Sequence, residues 1–126
     1  MGLDMYLDRV TKVPAIGESK DSTEVAYWRK ANAIHAWFVE NVQGGVDKCE
    51  PHEVTKKQLE ELLLICNYVF ETRDTEQLPT QGGFFFGSTD YDQWYLDDLK
   101  STIEQLQKVV DETDWKNEKI IYQSSW

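Results

Sequence analysis

Positive charge is scarce in this chain relative to negative: 13 Lys and Arg stand against 23 Asp and Glu, a formal net charge of −10. That imbalance argues against binding nucleic acid through its phosphates, which takes a positive surface. It favours solubility and suits a basic protein partner. Cysteine is nearly absent as well. Cys49 and Cys66 are the only two, too few for a disulfide framework, and both read as free thiols. No apolar run is long enough to span a membrane. At the N-terminus an acid, Asp4, stands where a signal peptide has its basic region. Tyr6 occupies the position where the myristoylation pattern needs Ser or Thr. The expectation is therefore a cytoplasmic protein without a membrane partner. Low-complexity segments, internal repeats and linkers are also missing.

What is present suits a folded chain. Of the 126 residues, 40% are hydrophobic and 13% aromatic, enough for one real core and a single domain over 1–126. The segment Gly2–Leu7 alternates, with Leu3, Met5 and Leu7 on one face, and reads as a half-buried strand. Residues 11–20 contain Pro14 and Gly17 and read as a loop. Asp21 with Glu24 three residues on predicts a capped start for a first helix. Tyr27, Ala31, Ile34 and Phe38 form its apolar stripe, and Gly44-Gly45 ends it. A second helix starts at Thr55, with Gln58 as its reciprocal cap and Val54 and Leu59 at staple positions. Its apolar face is Leu59, Leu62, Leu63, Cys66, Val69 and Phe70, so Leu62 and Leu63 are expected in the core. Residues 72–82 read as a loop, and Gly82–Gly87, with Phe84, Phe85 and Phe86 inside it, as a short strand or tight turn. Asp90 and Gln93 cap a third helix with Leu96, Leu99, Ile103, Leu106 and Val110 on one face. Lys119–Gln123 closes the chain as a strand that can pair with the first. The predicted class is α+β: one domain, three main α-helices and a small sheet joining the N- and C-terminal strands.

The stretch Tyr27–Phe38 is the richest in information. Apolar or small on almost every side, it reads as buried. Within it Trp28, Asn32 and His35 fall at spacings of four and three, one row if the segment is helical. Polar groups on a buried helix are hydrogen-bonded or serve a site.

Candidate chemistries differ in how well the residues support them. Cys49 and His52 have a Cys-x-x-His spacing that Cys66 and His35 could complete as a zinc set. The second paired-ligand motif is missing, and Cys66 sits where the second helix wants a small apolar residue; no metal and no cofactor is expected. A Cys or Ser with His35 or His52 could make a nucleophile pair, yet no nucleophile signature is present. Asp90, Asp92, Asp97 and Asp98 crowd the start of the third helix, where exposed N–H groups favour acids; helix-end stabilisation explains them before paired-carboxylate catalysis does. The Gly82–Thr89 run leads into a helix N-terminus and resembles an anion loop. It lacks the Walker lysine and is followed by acids. A recognition surface is the best supported of these. It would combine Trp28, Asn32 and His35 with Arg29, the phenylalanine run centred on Phe85, Tyr91, Trp94 and Tyr95. Aromatics with a few placed polar groups line ligand pockets and also make protein-binding hot spots. The alternative is an aromatic core in which Asn32 and His35 bond to loop backbone.

The opening Met1–Leu7, the blocks Tyr27–His35 and Gly83–Asp92, and the ending Tyr122–Trp126 together resemble small uncharacterised proteins of bacteriophages and prophages. The resemblance spans nearly the whole chain. It implies a phage-type accessory protein in the bacterial host cytoplasm and says nothing of catalytic residues. The expected function is a non-enzymatic binder or inhibitor of a bacterial host or defence protein. The alternative is a small-molecule, nucleotide-like binding protein or enzyme with a pocket around Trp28, Asn32 and His35. Whether those three residues line a concavity or pack solid separates the two.

Overall fold

The computed structural model describes residues 2–11, 22–82 and 90–126. Among these described residues, four antiparallel strands and three α-helices make one α+β unit. Strands β1 (Asp4–Thr11), β2 (Ser22–Arg29), β3 (His52–Val54) and β4 (Glu118–Ser125) form one sheet in the order β2-β1-β4-β3. Helices α1 (Asn32–Asn41), α2 (Lys56–Thr72) and α3 (Gln93–Glu112) bury their apolar faces in a single core with it. A short 3₁₀ turn, Thr75–Gln77, follows α2. None of the helices among the described residues is long and apolar enough to cross a membrane.

Strand β1 alternates as its sequence predicts, with Leu3, Met5 and Leu7 fully buried. It pairs with β4 from Asp4↔Ser125 to Thr11↔Glu118, so the N- and C-terminal strands are neighbours at the sheet centre. Its other partner is β2, in the register Met5↔Trp28 and Leu7↔Ala26, with a bulge that skips Val25. β2 lies at the sheet edge. On α3 the side chain of Gln105 covers that edge: it accepts from Tyr27 N at 2.8 Å and donates to Tyr27 O at 3.0 Å. The amide thus stands in for a neighbouring strand at one residue pair.

Residues 22–29 form a strand where a helix is expected. Thr23, Val25, Tyr27 and Trp28 are β-branched or aromatic, and Ala26 and Trp28 point inward while Tyr27 and Arg29 point out. The break comes at Lys30, a left-handed residue (φ 56°) whose N–H bonds Leu3 O at 2.7 Å. The first helix therefore begins at Asn32, not after Asp21, which itself lies outside the described residues; so does the segment 11–20 read as a loop, except for Thr11, which ends β1. The spacing Tyr27, Ala31, Ile34, Phe38 imitates a helical stripe across a strand–helix junction. The part that is helical is buried on nearly every side, including Ile34, His35, Trp37 and Phe38. It ends before Gly44 and Gly45, both at positive φ, with Gly45 N bonding Val39 O at 2.7 Å.

Helix α2 has the cap its sequence specifies. Thr55 Oγ1 accepts from Gln58 N at 3.1 Å, and Gln58 Oε1 accepts from Thr55 N at 2.9 Å. Leu59, Leu62, Cys66 and Val69 are buried, whereas Leu63 is only half-buried at the margin. Helix α3 starts one cap later than expected: Asp92, not Asp90, accepts from Tyr95 N. Its buried stripe is Tyr95, Leu99, Thr102, Leu106 and Val109; Leu96, Ile103 and Val110 flank it.

Candidate functional site

A cleft of about 410 Å³ opens where the β2–α1 junction faces the first two turns of α3. The junction contributes Arg29, Lys30 and Asn32. Across from them α3 contributes Trp94, Tyr95 and Asp98, which its period of 3.6 brings to one side. Asp90 and Asp92 close the end nearest the α3 cap. Asn32 Oδ1 accepts from Gln81 N at 3.0 Å, so the buried amide ties the loop before α3 to the start of α1.

The aromatic rim is graded from dry to wet. Tyr95 is buried, and its hydroxyl donates to Leu78 O at 2.6 Å. Burial raises its pKa above the ordinary phenol value, as do the neighbouring Tyr91 and Cys66. Tyr91 lies edge-on to Tyr95 with ring centroids 5.1 Å apart, and its hydroxyl accepts from Thr80 N at 3.2 Å. Tyr91 is 51% exposed and Trp94 75%. The Trp94 indole is the most exposed of the large apolar side chains among the described residues.

Asp98 is the distinctive carboxyl. It lies past the first turn of α3, so the helix-end explanation that serves Asp92 does not extend to it. Burial, then the nearby charges of Asp97 and Asp92, push its carboxyl up to about 7. Among the described residues no Lys or Arg forms an ion pair with it.

Trp28 and His35 do not belong to this cleft, and the expected row does not exist. Trp28 is a strand residue, 3% exposed, whose Nε1 donates to Thr102 Oγ1 at 2.8 Å. His35 is fully buried. Its Nε2 lies 2.7 Å from Asp47 Oδ2 and its Nδ1 2.6 Å from the Tyr122 hydroxyl. A carboxylate only accepts, so Nε2 carries the proton towards Asp47; in the neutral ring Nδ1 then accepts from Tyr122. Tyr122 stacks on Phe38 with centroids 3.9 Å apart. Burial, with the charges of Asp47 and Cys49, holds its pKa well above the ordinary phenol value. The order carboxylate–imidazole–hydroxyl matches a nucleophile triad in type. A hydroxyl with no exposed surface cannot reach a substrate, so this chain ties α1 to β4 and the Asp47 loop.

Of the sequence-selected residues, the fold thus brings Arg29, Asn32, Trp94 and Tyr95 together and sets Tyr91 against Tyr95. It places Trp28 and His35 in the core. Phe85, and the glycine–phenylalanine run beyond Gly82, lie outside the described residues. Sequence reasoning missed Lys30 and Asp98 as cleft residues and Asp47 and Tyr122 as the partners of His35. Among the described residues no group of three His, Cys, Asp or Glu side chains could hold a metal. Cys66 is buried in α2, where loss of hydration pushes its thiol up to about 12 and disfavours the thiolate that a ligand or nucleophile needs. Comparison with protein-family models, with curated proteins and with solved structures found no match.

Proposed function

We propose that this chain is a non-enzymatic binding protein that engages a basic surface on a protein partner, the partner being a bacterial host protein as its phage-type resemblance implies. The observation that carries this reading is the open rim of the cleft. Trp94 stands exposed where Asp90, Asp92 and Asp98 line the same cleft, and Tyr91 stands exposed edge-on to Tyr95. Trp and Tyr supply most of the binding energy in protein interfaces, and a negative surround steers a basic partner. The net charge of −10 acts in the same direction over longer range. His35 is buried with both ring nitrogens engaged, which supports a structural role for it.

Affinity capture from bacterial lysate, run in parallel with the parent and with a Trp94→Ala, Tyr91→Ala variant, tests the reading. A protein retained by the parent and lost by the variant, at unchanged melting temperature, is the expected result. Titration of that purified protein should then show at least about a tenfold loss, in line with two interface aromatics at more than about 1 kcal/mol each. Equal capture by both forms would move the binding surface elsewhere.

One observation favours small-molecule binding as a second reading. A cleft of about 410 Å³ falls within the size range of ligand pockets. A nucleotide-like ligand would engage Arg29 and Asn32, and a thermal-shift series with nucleotides would reveal it.

A further inference from the structure

We propose that the cleft between the β2–α1 junction and α3 receives a cationic side chain, a lysine or arginine of the partner, with its stem on Trp94 and its charged end at Asp98 and Asp92. This rests on the protein-binding reading and gives the rim a chemical specificity.

Three observations converge. Trp94 and Asp98 are one helical turn apart, so an indole face and a carboxylate border the same concavity. Cations bind both groups, the first through its π-face and the second by charge-assisted hydrogen bonds. Asp98 faces the cleft without a cationic partner of its own among the described residues. The cleft is also deep enough for a long stem. Its volume of about 410 Å³ exceeds that of one extended basic side chain, and Leu99, Ile34 and Ala33 give it an apolar floor. Long basic side chains bury their methylenes in this way while their charge meets polar groups.

The charged groups around Asp98 set the pH behaviour. On α3 this is Asp97, with Asp92 at its cap; Asp90 precedes the helix, and Arg29 and Lys30 line the opposite wall. The carboxylates dominate at Asp98, because its carboxyl is raised to about 7 by burial and by Asp97 and Asp92. A cation binds the ionised form, so binding expels a proton below that pH. Affinity should fall about tenfold from pH 8 to pH 6, since the ionised fraction of a group titrating near 7 changes by that factor. Arg29 and Lys30 oppose the same ligand, so their removal should not weaken it.

The probe is N-acetyl-L-arginine N-methylamide, titrated into the intact ¹⁵N-labelled protein while the Trp94 indole N–H resonance is followed. Saturable shifts at about millimolar probe are expected for one side chain in an open cleft. Asp98→Asn, close to isosteric, should weaken binding about tenfold or more at pH 8 and flatten the pH dependence. Trp94→Ala should weaken it about threefold, read from other cleft resonances. Arg29→Ala should leave it unchanged or tighter. Inorganic phosphate should shift nothing. A phosphate response abolished by Arg29→Ala, or an arginine response indifferent to Asp98→Asn, overturns the assignment. If the probe fails while Asp98→Asn still captures the same lysate protein as the parent, the cation site is wrong and the protein-binding reading survives.

Discussion

Tyr122→Phe removes a single hydroxyl from the core and tests whether His35 is structural. The phenyl ring that remains keeps its stacking on Phe38, so the change isolates one hydrogen bond, the 2.6 Å contact between the Tyr122 hydroxyl and His35 Nδ1. Both residues are fully buried, so bulk solvent does not replace the lost donor. Leaving a buried acceptor unpaired costs about 1–3 kcal/mol. In a chain of this length each kcal/mol lowers Tm by about 3–5 °C. Urea denaturation with linear extrapolation gives the value directly, provided the slope is unchanged. Asp47→Asn, which weakens the other end of the chain at Nε2, should couple to it. The double variant should lose less than the sum of the single losses, by about 0.5 kcal/mol or more. A Tyr122→Phe loss under about half a kcal/mol, or strict additivity with Asp47→Asn, would refute the idea that these three groups act as one unit.

Other perturbations address other parts of the molecule. Leu62→Ala should cost about 2–5 kcal/mol, because Leu62 has no exposed surface; Leu63→Ala, at the half-buried margin, should cost clearly less in the same denaturant series. Asp98→Asn should stabilise the fold at pH 8 by about 1–2 kcal/mol, a modest figure because a half-buried carboxyl keeps part of its hydration. The sign follows from a folded carboxyl raised to about 7 from 3.8. Folding favours its protonated form, so its stabilisation is fully present below the unfolded pKa and lost as pH rises through 7. The gain from Asn should disappear by pH 4, and a gain that persists there would contradict the assignment. Gln105→Ala should uncover the β2 edge at Tyr27, and self-association in sedimentation velocity should rise with concentration. Untagged protein should carry no stoichiometric zinc in elemental analysis, given the thiol of Cys66 pushed up to about 12.

What was legible in the sequence is what depends on neighbours in the chain. The Thr55–Gln58 box and the α2 stripe are local, and the structure has them at the expected positions. The β1–β4 pairing was visible because β1 alternates, Lys119–Gln123 is a short run rich in Ile and Tyr, and the two segments stand near opposite termini. The first helix was misread because its strand–helix boundary is carried by Lys30 in a left-handed conformation. A glycine there would have announced the break; a lysine does not. Strand β3 escaped because three residues are too few to show a period. The partners of His35 are 12 residues away at Asp47 and 87 away at Tyr122, with nothing in either segment to mark them. Asp98 looked like one of four acids at a helix start, and only packing distinguishes a half-buried carboxyl from its exposed neighbour Asp97.

The sheet order β2-β1-β4-β3 has a consequence for synthesis on the ribosome. The β1–β2 hairpin can form as soon as residue 29 has emerged, since its pairing is local. β3 cannot join it, because β4 must lie between them, and β4 ends at Ser125. Until then Phe38 lacks the Tyr122 ring that stacks on it, and one side of β1 is open along its length. An emerging chain in this state is a substrate for chaperones and a target for strand-to-strand misassembly. Slowing translation within α3 should therefore reduce soluble yield more than slowing it within the β1–β2 hairpin, before the apolar faces of α1 and α2 have been made.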